Sequence, residues 1–214
     1  MRRAAAGLVL FALAAAQAPA QPADPLVAQR RVAFVLRQAT QHYEAGEYQA
    51  ALDRLDALPE AAAADPATRN LRGAVLTKLG DHDGADALFA GILQADPGHF
   101  PAAYNRAEVL ATRGDHEAAL AAFTELAARD PRNELLRFKV VLCEVKLGRA
   151  EDAAKSAARL IPAGGTPAWY YAQAVLARAA GDGRTADRHL DAARAIYGEE
   201  ACRIFEESLE DQAP

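Results

Sequence analysis

Five histidines, two cysteines and two serines are the side chains here most able to hold a metal or attack a substrate. His82 and His116 stand 34 residues apart, each opening a helical pattern, while His42, His99 and His189 have no partner near in sequence. A zinc ion needs nitrogens at about 2.1 Å, whereas neighbouring helices pack about 8–10 Å apart. Residues a whole structural unit apart do not converge on one ion. Asp81-His82-Asp83-Gly84 opens like a calcium loop but lacks the third acidic ligand and the closing glutamate, so it reads as a turn between helices. Ser156 and Ser208 fall in helical stretches without the Gly-x-Ser-x-Gly context of a strained nucleophile. The expectation is a non-catalytic chain with no metal and no cofactor.

The elements that must position these residues are marked by a repeat. Gly46, Gly80, Gly114 and Gly148 recur every 34 residues, Gly181 follows one residue short, and Ala51, Ala85, Ala119, Ala153 and Ala186 each lie five residues beyond. That period is the signature of a helix–turn–helix unit stacked into a solenoid. In the clearest unit, Phe100 to Asn133, one helix carries Tyr104, Ala107 and Leu110–Ala111 and breaks at Gly114-Asp115. Glycine there adopts positive φ without a Cβ clash. A second helix carries Ala119, Phe123, Leu126 and Ala127 on one face, and Asp130-Pro131 ends it and starts the next unit, proline suiting a helix's first turn. In the first unit Pro59 cuts the second helix.

These units resemble tetratricopeptide repeats, over roughly Val32 to Gly198. Ala39, Gly73, Ala107 and Ala174 match the small residue of the first helix, from which Val141 departs. Phe89 and Phe123 match the aromatic of the second helix, where Leu55, Ala157 and Leu190 stand in other units. The tryptophan typical of the first helix is missing from its place; Trp169 lies about one residue away. The resemblance implies an all-α, right-handed α-solenoid of about five repeats, at about 32–65, 66–99, 100–133, 134–166 and 167–198 within a domain spanning 21–198. Segment 199–214 completes it as a capping helix and tail. The capping helix should run from Glu199 to Gln212 with Ala201, Ile204, Phe205 and Leu209 as its apolar face, covering the exposed side of the last repeat. About a quarter of the residues are alanine and only 7% aromatic, so stability should come from many small interfaces between neighbours.

The ends carry other information. Residues 1–20 read as a signal peptide: Arg2 and Arg3, an apolar run from Ala4 to Ala16, and the small-x-small site Ala18-Pro19-Ala20. The mature chain would begin near Gln21, exported to the periplasm of a Gram-negative cell or otherwise secreted, with no stable membrane insertion after cleavage. The alternative is an uncleaved anchor holding the protein in a membrane-bound envelope assembly. Removing the segment leaves the remainder two charges more negative than the formal −5 of the whole chain, which argues against binding nucleic acid or anionic membranes. Asp24-Pro25 should start the first helix, ending at Ala45. Cys143 and Cys202, with the fifth repeat between them, should lie about 20 Å apart, too far for a disulfide, which needs about 7 Å. Two unpaired thiols are expected.

The family resemblance implies a concave groove, lined by the first helix of each repeat, that binds a peptide segment or helix of another protein. Counting from the aligned glycines places inward Arg37 and Tyr43, then Asn70 and Lys78, then Tyr104, Asn105 and Glu108. Phe138, Lys139 and Leu142 follow, then Tyr171, Val175 and Arg178. One subset of the family clamps a C-terminal carboxylate in this groove. Asn70, Asn105 and Lys139 approach its pattern, but Leu36, Leu71 and Pro101 occupy other clamp places, so chaperone-tail binding is not expected. The function expected is that of a protein-binding scaffold or adaptor; the contrasting class is a hydrolase or metal-dependent enzyme with an unrecognised site.

Overall fold

A computed structural model describes residues 25–162 and 165–210. The expected signal segment, its expected cleavage site and Asp24 lie outside the described residues, as do Asp211 and Gln212. Among the described residues every regular element is a helix: α1 (Pro25–Glu44), α2 (Tyr48–Asp56), α3 (Glu60–Ala63), α4 (Pro66–Lys78), α5 (His82–Ala95) and α6 (Phe100–Thr112) come first. α7 (His116–Arg129), α8 (Glu134–Lys146), α9 (Ala150–Ala157), α10 (Ala168–Ala179) and α11 (Gly183–Glu210) follow. The first helices of the repeats are α1, α4, α6, α8 and α10; α2, α5, α7, α9 and α11 are the second helices. α3 is the fragment left where Pro59 ends the first repeat's outer helix.

The turns obey the glycine period. Gly46, Gly80, Gly114, Gly148 and Gly181 all have φ between 71° and 85°. At Gly114, φ is 83°, and the Asp115 amide donates back to the Leu110 carbonyl at 2.9 Å, so the helix end is closed by its own backbone. A side chain there would occupy the left-handed region at a cost of about 1–3 kcal/mol.

The starts of the helices are set by capping side chains. Asp65 Oδ1 accepts from the amides of Ala67 and Thr68 at the head of α4, beside Pro66. Asp81 Oδ1 accepts from Gly84 N at 2.9 Å, so the calcium-like tetrapeptide is the N-terminus of α5. Pro131 differs from expectation: it and its counterpart Pro97 sit in the connecting turns, and the caps of α6 and α8 are His99 and Asn133. Those two side chains accept the orphan amides of Ala102 and Leu136, which proline cannot do.

Packing is divided among four clusters of buried apolar residues spread along the array. The small–large pair within each repeat explains their fit. A methyl on Gly73 would stand 2.6 Å from the Phe89 ring, so the ring fills the space that glycine leaves. Ala107 and Phe123 share a cluster in the next repeat. The fourth repeat inverts the pair: Val141 replaces the small residue and Ala157 replaces the aromatic, both fully buried in one cluster. The two departures from the family pattern therefore compensate in volume.

α11 is not one continuous helix. It breaks at Gly198 (φ 78°, ψ 164°), separating the last outer helix from a terminal helix, 199–210, whose course decides the state of the groove.

Candidate functional site: the concave groove

The sequence-derived stripe divides into an open and a covered half. At the open end, Tyr43, Thr77, Lys78, Tyr104, Asn105, Glu108 and Thr112 line a recess of about 200 Å³, with Ala74 and Lys139 beneath. Tyr43 is braced by Tyr48 at 5.7 Å and Tyr104 by Phe123 at 6.0 Å between ring centroids. Both tyrosines remain half-buried. Arg37, further toward the N-terminus, lies over the Phe34 ring at 5.8 Å. Thr77, Ala74 and Thr112 were not in the stripe, yet each lies one period from a member of it: Tyr43, Glu108 and Lys78 respectively. The period itself was the signal that would have found them.

Polar groups of this half pair across neighbouring repeats. Asn105 Nδ2 donates to Asn70 Oδ1 at 3.1 Å. Lys139 is a correction to the expected exposed cation: it is 1% exposed, and its Nζ donates to Glu108 Oε2 at 2.6 Å. An ammonium without water needs such a counter-charge. The pair sits against Cys143, whose thiol is pushed up to about 12, first by burial and then by the Glu108 charge. The partial carboxylate clamp is thus spent on contacts between repeats.

At the other end the groove is covered. Phe138, Leu142, Tyr171 and Val175 are 0–7% exposed, which corrects their assignment as surface available to a partner. The terminal helix lies over them. Phe205 packs 5.4 Å from both the Phe138 and the Tyr171 rings, and the Tyr171 hydroxyl donates to Glu206 Oε1 at 3.0 Å. Ile204, Glu207 and Ser208 continue as one wall of the open recess. The helix therefore reaches past the last repeat, its expected place, to α8. It is also rotated from the expected apolar face: Cys202, Phe205 and Ser208 are buried, while Ala201 and Ile204 are exposed. Arg178 stays exposed, 3.7 Å from Asp187. Cys143 and Cys202 are both free thiols, both buried, although the terminal helix returns to the helix that carries Cys143.

A tetratricopeptide-repeat family model matches residues 36–100 and 70–134, and a second matches 110–176. The chain belongs to the tetratricopeptide-repeat family. Known structures with the same fold include a thermophilic tetratricopeptide-repeat protein from Thermus thermophilus, at TM-score 0.66 and 20% identity, covering 83% of this chain and 98% of that one. MamA from Desulfovibrio magneticus superposes at TM-score 0.62 and 18% identity, over 78% of this chain and 94% of its own. A tetratricopeptide-repeat protein from Parabacteroides merdae gives 0.65 and 19%, over 85% and 70%. At such identities the likeness is one of fold. None of the curated proteins matches the sequence. Among the described residues of this tetratricopeptide-repeat chain, no three His, Cys, Asp or Glu side chains gather as a metal site. No described helix is long and apolar enough to cross a membrane.

Proposed function

We propose that this protein is a non-catalytic scaffold or adaptor that binds a peptide segment or helix of another protein in its concave groove. The observation that carries this reading is the open recess over repeats one to three, which Tyr43, Lys78 and Tyr104 line together. Aromatic rings held by neighbours offer large contact area at small entropic cost, and a lysine among them favours a partner segment bearing carboxylates. We further propose export directed by residues 1–20, with the partner in the cell envelope or outside the cell; N-terminal sequencing of the native protein separates a chain beginning near Gln21 from an anchored one beginning at its first residues.

The binding test is a cross-linking pull-down from the native compartment with two sets of variants. Tyr104→Ala with Lys78→Glu should weaken capture at least tenfold, about 1.4 kcal/mol, while helicity stays near wild type. Asp53→Lys with Glu125→Lys, on outer helices, should leave capture unchanged. Loss through the outer pair alone would place the partner on the convex face and refute the groove assignment.

A further inference from the structure

The terminal helix holds the covered half of the groove in the manner of a bound ligand. It buries Cys202, Phe205 and Ser208, one residue per helical turn, with Leu209 partly buried against the same cluster. Phe205 packs onto two rings, Phe138 and Tyr171, that occupy groove positions of adjacent repeats and meet each other edge to face at 6.2 Å. Glu206 Oε1 accepts from the Tyr171 hydroxyl and, at 2.8 Å, from Arg194 Nε, so a carboxylate beside the ring has a prepared cationic and hydroxyl partner. On the opposite side Glu199, Glu200, Arg203 and Glu207 are exposed, and Ile204 is 46% exposed at the edge of the recess.

The helix joins the solenoid through Gly198 in a glycine-favoured conformation, with open space where a Cβ would stand. A helix this short has little stability apart from what it packs on. A partner helix with the same pattern would therefore meet a surface already shaped for it and an occupant joined to the solenoid through a single glycine.

We infer that residues 199–210 are an exchangeable internal ligand, and that the partner recognised at this end of the groove is an amphipathic helix. That helix places an aromatic ring where Phe205 sits, small side chains one turn to either side, and a carboxylate next to the ring. The inference deepens the scaffold reading and rests on it only in taking the groove as the binding face.

The probe is a fluorescein-labelled synthetic peptide spanning Glu199–Glu210 with Cys202→Ser. By fluorescence anisotropy it should bind the full-length Phe205→Ala protein at least tenfold more tightly than wild type, because the internal helix no longer competes. The same peptide carrying Phe205→Ala should bind neither. Wild-type protein supplies a second readout that needs no variant: saturating peptide should speed iodoacetamide alkylation of Cys202 at least tenfold, mapped by mass spectrometry, and leave Cys143 protected. If the peptide fails to bind and the two thiols react only together on global unfolding, the helix is a permanent part of the fold and the inference fails. Should pull-downs through Tyr104 and Lys78 succeed while exchange fails, this inference falls alone; exchange without any protein partner would instead sink the scaffold reading. A wild-type dimer that peptide dissociates would assign the slot to a second copy and overturn the partner assignment.

Discussion

The ring of Phe205 lies 5.4 Å from the ring of Phe138, so the end of the chain is folded back onto the first helix of the fourth repeat. The two residues share one contact but not one structural role. Phe138 is fully buried among α8, α10 and the terminal helix, whereas Phe205 belongs to a segment joined through a single glycine. Phe138→Ala should cost about 3–5 kcal/mol and loosen both the fourth and fifth repeats. Phe205→Ala should release only 199–210. Hydrogen exchange separates them: accelerated exchange across α8 and α10 in the Phe205 variant would contradict this division.

The inverted pair in the fourth repeat gives a double-mutant cycle. Ala157→Phe alone crowds Val141, and Val141→Ala alone leaves a void, each at about 1–3 kcal/mol. Combined, they restore the small–large arrangement of Ala107 and Phe123, so the double variant should be more stable than the sum of the singles by at least about 1 kcal/mol in denaturant titration. Simple additivity would mean that the two sites do not share one packing volume.

Lys139 and Glu108 should show the asymmetry of a buried ion pair. Lys139→Met strands a carboxylate that is only 21% exposed and should cost about 3 kcal/mol. Adding Glu108→Gln removes the stranded charge and should recover at least half of that loss. A double variant no better than the single would show that Lys139 acts through its packing.

Cys143 makes stability depend on pH on the alkaline side. Burial, then the Glu108 charge, raises its thiol from the ordinary 9.0 to about 12. Above pH 9 the unfolded chain loses this proton while the folded one keeps it, so stability falls as pH rises from 9 toward 12. The contribution is fully present below pH 9, and the loss is up to about 1.4 kcal/mol per pH unit. Chemical denaturation at pH 8.5 and 10.5 should show a smaller drop for Cys143→Ala than for wild type. Some drop should remain, because burial also raises the Tyr171 hydroxyl. Equal drops in both proteins would remove Cys143 as a cause.

Local order was legible because it is governed by local physics. A glycine every 34 residues marks a backbone conformation other residues resist, and apolar spacing marks the inward face of each helix, so the repeats and the stripe from Arg37 to Arg178 follow from the chain alone. Even Val141 and Ala157 could be seen as departures, although that they offset one another needed the knowledge that they share a cluster. The tertiary structure alone decided which part of the stripe is open. The terminal helix has apolar residues on more than one side, Ala201, Cys202, Ile204, Phe205 and Leu209, and a helical pattern of that width is compatible with a cap on the last repeat or with a seat in the groove. The choice depends on the turn at Gly198, on the surface that the paired rings of Phe138 and Tyr171 present to Phe205, and on the hydrogen bond from Tyr171 to Glu206. Those are relations between distant residues, and no periodicity reaches across them. Likewise the charge of Lys139 is visible in sequence, but its loss to the surface follows from Glu108 on the neighbouring repeat, which comes within reach only when the two helices pack.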